Sequence, residues 1–184
     1  MTLARDLVDG PVRLVPWDSY YVEGLRASCA RDPDIWDIYP VNMVGDYFDR
    51  VIEQRMALHR ADKWVPFICL KDGEVVGTTN YIDPDPRQGV VEIGGTYLEP
   101  SVRGSGYNRE LKRMMIEHAF SEGFTRIEFR IDTRNTRSMR AVEKLGAAHE
   151  GTLRKNKTTW TGYRRDTAVF GLLAKDWQAA AQPR

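Results

Sequence analysis

The sequence predicts an α/β domain built on a single mixed, mainly antiparallel sheet of about seven strands, flanked by about four helices. Three observations carry this expectation. Strand-like and helix-like segments follow one another in the order β, α, α, β, β, β, α, β, α, β, β, which is not the strict alternation of a doubly wound sheet. Residues 126–132 alternate cleanly, with Ile127, Phe129 and Ile131 on one face and Glu128, Arg130 and Asp132 on the other, as in a half-buried strand. Residues 98–107 pass from a strand through a glycine-containing turn directly into a helix.

In chain order, Val12 to Pro16 reads as a short first strand. Two helical stretches follow, near Ser19–Ala30 and Val44–His59, separated by Asp32-Pro33-Asp34 and by Pro40. In the second stretch Tyr47, Phe48, Val51, Ile52 and Arg55 recur at helical spacing. Trp64–Leu70 and Glu74–Ile82 pair across Lys71-Asp72-Gly73, a tight-turn signal because glycine tolerates the positive φ such turns need. Val90–Leu98 is the fourth strand. The third helix, about Gly104–Phe120, carries the apolar stripe Leu111, Met114, Met115, Ala119. Arg126–Asp132 is the fifth strand, and a helix near Thr136–Leu145 is closed by Gly146. Two strands, about His149–Thr159 and Arg164–Leu173, meet at Thr161-Gly162.

At 184 residues, with no repeat and no linker-like segment, the chain is expected to form one domain over 1–184. A formal net charge of +1 gives no general attraction to nucleic acid or to an anionic membrane, so any anion site must be local. Residues 1–10 lack the apolar run of a signal peptide, and no stretch reaches the ~18 apolar residues of a membrane helix. Cys29 and Cys69 form no CxxC pair and read as free thiols of a reducing compartment. The expected setting is therefore cytoplasmic. His59, His118 and His149 lie far apart in sequence and define no metal site.

The most informative segment is Glu99-Pro100-Ser101-Val102-Arg103-Gly104-Ser105-Gly106-Tyr107-Asn108. A helix N-terminus leaves backbone N–H groups unpaired and carries partial positive charge, which suits a phosphate. Gly104 and Gly106 permit close approach of the backbone, and Arg103 adds a cation. Other phosphate loops do not fit. A Walker A loop requires Lys-Ser/Thr after its last glycine, where Tyr107-Asn108 stands, and a dinucleotide GxGxxG would need glycine at Arg109.

This segment resembles the acetyl-CoA signature of the GNAT-type N-acetyltransferases: Gln or Arg, two residues, Gly, one residue, Gly or Ala. Arg103 and Gly106 match it, and Asn108 departs from its last position. The element order resembles that family from about Val12 to Trp177. Asn135-Thr136-Arg137-Ser138 with Leu145-Gly146, Glu150-Gly151-Thr152-Leu153-Arg154 and Gly162-Tyr163-Arg164-Arg165-Asp166 resemble the branch of ribosomal-protein alanine acetyltransferases. The resemblance implies an acyl-CoA N-acyltransferase fold whose sheet is splayed between the fourth and fifth strands. It implies acetyl-CoA as acyl donor and an amine acceptor, either a small molecule or a protein N-terminus. Nucleic acid, membrane and metal have no expected part, and monomer and homodimer both stay open.

The resemblance further implies that Arg103, Gly104, Ser105, Gly106, Tyr107 and Asn108 cradle the pyrophosphate. It implies that a main-chain N–H near Tyr97 or Leu98 polarises the thioester carbonyl, that Asn135 bonds the pantetheine and that Ser138 faces the sulfur. Capping of the following helix explains Asn135 and Ser138 equally well. Gly94-Gly95 suits a bulge or relief of crowding. Transfer to an amine requires a neutral nucleophile, because an α-amino group titrates near ~8 and a lysine near ~10. Glu92 is the first candidate base, ahead of Asp132 and Asp166, although a strand glutamate also serves in ion pairs. Trp36, Tyr39, Trp160 and Tyr163 are candidates for the acceptor pocket. Arg154, Lys155, Lys157, Arg164 and Arg165 read as a solvated hairpin, with attraction of an anionic acceptor as the alternative. An acyl-CoA-sensing domain without catalysis, and transfer of a longer acyl group or transfer to a hydroxyl, remain rival functions.

Overall fold

The first strand of the sheet is one the sequence pattern passes over: Leu7–Asp9 (β1) pairs antiparallel with Val12–Pro16 (β2) through a two-residue turn that uses Gly10 at positive φ. At three residues it is too short to show an alternation. The structure, a computed structural model, describes residues 2–181; residues 1 and 182–184 of the expected domain lie outside the described residues. Beyond β2 come α1 (Val22–Ala30), α2 (Tyr47–Arg60), β3 (Trp64–Lys71), β4 (Glu74–Asp85), β5 (Val90–Leu98), α3 (Tyr107–Ser121), β6 (Arg126–Asp132), α4 (Thr136–Glu143), β7 (Ala148–Thr158), β8 (Arg164–Leu173) and α5 (Ala174–Ala181). The eight strands form one sheet in the order β1-β2-β3-β4-β5-β6-β8-β7, antiparallel except where β5 meets β6.

β3 shows why the sheet has a core on both sides. Its run Phe67-Ile68-Cys69-Leu70 is continuously apolar because alternate residues face two different cores. Phe67 and Cys69 join Leu111, Met115 and Ala119 of α3, whereas Ile68 and Leu70 join Leu25 and Cys29 of α1 and Phe48 and Val51 of α2. α3 therefore covers one face, and α1 with α2 the other. The β3–β4 hairpin turns at Asp72 and Gly73, both at positive φ, the backbone demanded by the two-residue turn that matches strand twist.

Three expected boundaries shift for identifiable reasons. The Ser19–Ala30 stretch opens with a 3₁₀ turn at Ser19–Tyr21, capped by Asp18 accepting from the Tyr20 N–H, and becomes α-helical only at Val22. The segment around Pro33 is not a plain turn but a 3₁₀ helix, Pro33–Ile38, whose Trp36 is fully buried. α3 starts at Tyr107 and not at Gly104, because Gly104 and Gly106 both hold positive φ and cannot begin a helix. The sequence pattern does not anticipate α5. Among the described residues no helix is long and apolar enough to cross a membrane.

Candidate active site

The site is a cleft of about 520 Å³ that opens where β5 and β6 separate. The two strands pair in parallel at only three positions, Val90 with Arg126, Val91 with Ile127 and Glu92 with Glu128. Beyond Glu92 they diverge, so Ile93–Leu98 has no partner strand on that side and its main chain is available to a ligand. A bulge adds to the divergence: Asn80 pairs with Gly94 and Thr78 with Tyr97, leaving an extra residue in β5. Gly95 takes φ +58° there, and a Cβ on it would lie 2.7 Å from the Asn80 amide nitrogen. Asn80, fully buried in β4, donates to the carbonyls of Gly94 and Gly95 and fixes the bulge.

At one end of the cleft the chain leaves β5 and turns into α3. Ser105 Oγ donates to the Val102 carbonyl and receives a long bond from the Tyr107 N–H, while Arg109 and Glu110 N–H both bond the Gly106 carbonyl. None of the hydrogen bonds at this turn uses the N–H groups of Gly104, Ser105, Gly106 or Asn108. Gly104, Ser105 and Gly106 are exposed, and a Cβ on either glycine would meet open space. Their glycine character thus answers to backbone conformation alone. Free donors at a helix N-terminus beside open space are the features a pyrophosphate needs, so the residues present fit CoA.

Arg103 does not point its charge freely at that turn. Its Nε donates to the Leu98 carbonyl at 2.7 Å, and its guanidinium is paired with Asp32. With Arg31 bound to the buried carboxylate of Glu99, it ties the end of α1 to the end of β5. Tyr107 likewise turns its ring into the core, its hydroxyl donating to the Leu70 carbonyl, so only its backbone belongs to the turn. Across the fork, Asn135 Oδ1 accepts from the Ser138 N–H and caps α4. Both side chains line the cleft, and the Ser138 hydroxyl makes no hydrogen bond to a described residue. Lys112, from α3, reaches the fork and donates to Thr96 Oγ1 at 2.7 Å; burial lowers its ammonium to about 8.

Glu92 is the last β5 residue before the strands part. It precedes the bulge, so its facing is not altered, and its side chain lines the cleft. Its carboxylate lies back over Gly94: a Cβ there would sit 2.6 Å from Glu92 Oε1. Only a residue without a side chain at 94 leaves that seat open. Burial pushes the Glu92 carboxyl up from its ordinary value, against the pull of Lys157 and Arg130, whose Nε lies 3.5 Å from Oε2. The other two acids are committed elsewhere. Asp132 is buried, which works to raise it, yet bonds from the Arg134 side chain and N–H hold its carboxyl below the usual range. Asp166 lies outside the cleft lining and accepts from the Lys155 N–H, supporting the left-handed kink of that residue in β7.

A family model for the acetyltransferase (GNAT) domain matches residues 12–148. The chain belongs to the GNAT acetyltransferase family. It is 26% identical over 151 residues to the probable N-acetyltransferase YjcK of Bacillus subtilis, covering 78% of this chain and 83% of that protein. A putative acetyltransferase from T. thermophilus superposes with a TM-score of 0.81 at 30% identity, over 95% of this chain and 92% of the other. RimJ of Mycobacterium smegmatis, solved with CoA-disulfide, shares the fold at 21% identity, with a TM-score of 0.77 over 93% and 85% of the two chains. Family membership supports acyl transfer as the activity, and the splayed sheet is the acyl-CoA N-acyltransferase fold.

Within this GNAT cleft the structure brings together Glu92, Leu98, Arg103, Gly104, Asn108, Asn135, Ser138 and Tyr39. It does not bring in three of the four aromatic residues expected around the acceptor. Trp36 is core, stacked on Tyr97 at 4.8 Å with its indole N–H bonded to the Cys29 carbonyl. Trp160 and Tyr163 are 39% and 48% exposed and lie outside the lining; Trp160 donates to the Trp36 carbonyl, and Arg134 covers the Tyr163 ring. Tyr97 turns its side chain away from the cleft, its hydroxyl bonding the Ser28 carbonyl, so only its main chain faces the fork. The hairpin cations also divide: Arg165 is buried and Lys157 reaches the lining, while Arg154, Lys155 and Arg164 are exposed. Sequence reasoning passed over Asn80 and Lys112, and took Arg55 only as one member of a helical repeat. Each lies in a segment read as strand or helix core, and the one available signal is a polar residue where the periodicity calls for an apolar one.

Proposed function

We propose that this protein transfers the acetyl group of acetyl-CoA to a primary amine by direct attack, with Glu92 as general base, acting directly or through a water. The observation that carries this reading is the Glu92 carboxylate: raised by burial, seated over Gly94, at the point where β5 loses its partner strand. Acetyl-CoA, when bound, supplies an acetyl carbon activated as a thioester. The N–H groups of Gly104, Ser105, Gly106 and Asn108 would hold its pyrophosphate, and Asn135 the pantetheine. Glu92 takes the proton that the amine must lose as its nitrogen bonds the acetyl carbon. The carbon–sulfur bond breaks, and the Ser138 hydroxyl, with no protein acceptor, is free to donate toward the departing thiolate. A carboxyl raised by burial is a stronger base than an ordinary glutamate.

The test is calorimetric titration with acetyl-CoA beside thiol release across a panel of primary amines. Binding of acetyl-CoA with release that depends on the amine supports the reading. Binding with no release for any amine or hydroxyl acceptor overturns it in favour of an acyl-CoA-sensing domain. Preferential thermal stabilisation by a longer acyl-CoA would replace acetyl as the donor.

A further inference from the structure

α2 buries the stripe Phe48, Val51, Arg55, and the third member is out of character. A full positive charge stands where helical periodicity demands an apolar side chain. Arg55 is 7% exposed and its guanidinium lies 5.6 Å from the Trp64 ring. Among the described residues no carboxylate lies within ion-pair distance of it, and no hydrogen-bond acceptor engages it. The groups that act on its charge are the Cys29 thiol and the Tyr39 hydroxyl. Burial raises both to about 12, so both are neutral near pH 7. Its nitrogens are nonetheless not sealed: they are not among the fully buried unpartnered atoms, and the side chain lines the cleft.

A buried, uncompensated guanidinium costs several kcal/mol unless something supplies the opposite charge. The cofactor's phosphates are not placed to do so, because α2 packs on the face of the sheet opposite α3, whose N-terminus forms the phosphate turn. The charge of the whole lining points the same way. It contains seven cationic side chains and two carboxylates; Arg103 and Arg130 are paired with Asp32 and Glu128, and Asp132 with Arg134, which leaves five cations facing Glu92. A polycationic acceptor would meet like charge in such a cleft, whereas an acceptor bearing an anion would meet its complement.

We propose that the acceptor is an amino carboxylate, whose carboxylate is held by Arg55 while its amine faces Glu92. This rests on the acetyl-transfer reading above and names the class of acceptor. A carboxylate is favoured over a phosphate by the surroundings of Arg55. Val51, Leu58 and Trp64 are the apolar residues of the lining on and beside α2, Lys157 and Arg130 belong to the Glu92 end, and Arg103 and Arg137 reach Arg55 only across the shared Tyr39 hydroxyl. One guanidinium neutralises one carboxylate, with two donors matched to two oxygens. A phosphate dianion would keep an unbalanced charge in a largely apolar wall.

The test is a calorimetric titration of the CoA-loaded protein with 4-aminobutyrate, butyrate, 4-aminobutyramide and inorganic phosphate, for wild type, Arg55→Met and Arg55→Lys. Wild type is expected to bind the two carboxylates at least about tenfold more tightly than the amide. Arg55→Met should bring the carboxylates down to the level of the amide, with CoA affinity unchanged. Arg55→Lys keeps the charge without the planar fork and should fall between. If carboxylates and amide titrate alike, if neither binds wild type, or if phosphate alone binds, the proposal is overturned. The comparison within wild type stands even if Arg55→Met fails to fold. Thiol release from acetyl-CoA with the same amines is scored separately. Carboxylate binding without release sinks the acetyl-transfer reading and leaves the Arg55 site in place; release without carboxylate preference does the reverse.

Discussion

The two ends of the cleft are built from different materials. The end proposed for the cofactor is mostly main chain: free N–H groups at the α3 N-terminus, an unpaired edge of β5, and two glycines whose role is their φ angles. The end proposed for the acceptor is mostly side chain: Glu92 from β5, Arg55 from α2, Tyr39 from the α1–α2 connection, and Arg130 and Lys157 from β6 and β7. A main-chain site is set by the fold and recognises what all acyl donors of this type share. A side-chain site can be changed one residue at a time, and it is where preference for one acceptor over another resides.

The sharpest break of this comparison is Glu92→Gln, which keeps the shape of the acceptor end and removes its proton acceptor. General-base catalysis contributes about 10²–10⁴-fold, so kcat should fall at least about 100-fold at neutral pH with acetyl-CoA affinity intact. The wild-type acidic limb should lie above that of an ordinary glutamate, and in the variant it should vanish. A variant that retains more than about a third of its activity with the same pH profile makes Glu92 structural.

Lys112 stands at the fork between the two ends and gives a stability signature. Its ammonium is lowered by burial to about 8 in the folded protein, against about 10.4 unfolded. Below pH 8 both states are protonated and the cost of the buried charge is fully present. Between pH 8 and about 10.4 the unfolded chain holds the extra proton, so stability rises with pH, on the order of 3 kcal/mol. Cys29 and Cys69, raised by burial, act with the opposite sign over much of that range. The readout is therefore the difference in denaturant midpoints between wild type and Lys112→Met: the variant should lead most below pH 8 and lose that lead by about pH 10.4. A constant difference would place Lys112 outside the titrating core.

Next in size is the cofactor end itself. Gly106→Val forces a β-branched residue to φ +90° and fills the open space above the turn. Acetyl-CoA affinity should drop at least tenfold, about 1.4 kcal/mol, in a variant that still folds. Unchanged affinity by calorimetry would remove this turn from the cofactor site.

The smallest effects separate capping from chemistry on α4. Asn135 is the residue that caps, so Asn135→Ala should cost about 1 kcal/mol of stability in a denaturant melt. Ser138 is capped through its backbone while its hydroxyl is spare, so Ser138→Ala should lower kcat severalfold with little change in stability or acetyl-CoA binding. A pure stability loss in Ser138→Ala would remove it from the reaction.

The same division explains what could be read from the sequence. The glycine turn, the bulge at Gly94-Gly95 and the Asn135 cap were legible because each is a local backbone requirement written in consecutive residues. Arg55, Asn80 and Lys112 were not, because their meaning depends on which distant strand or helix they meet. Tyr39, the extended residue that caps the 3₁₀ helix, lines the cleft, whereas Trp36, three positions earlier inside that helix, turns into the core; spacing alone does not separate them. The short β1 and the terminal α5 carried too few residues to show a period.

The three-rung parallel seam between β5 and β6 has a mechanical consequence. It joins two broad half-sheets, β1 to β5 and β6 to β8, each laced antiparallel along most of its length. The two plates are nonetheless braced: α3 packs one continuous core against β5 on one side of the seam and β6 and β8 on the other, and the Trp160 indole N–H reaches across to the Trp36 carbonyl. The opening is therefore a wedge held from below, closed at Glu92 and widest toward Leu98.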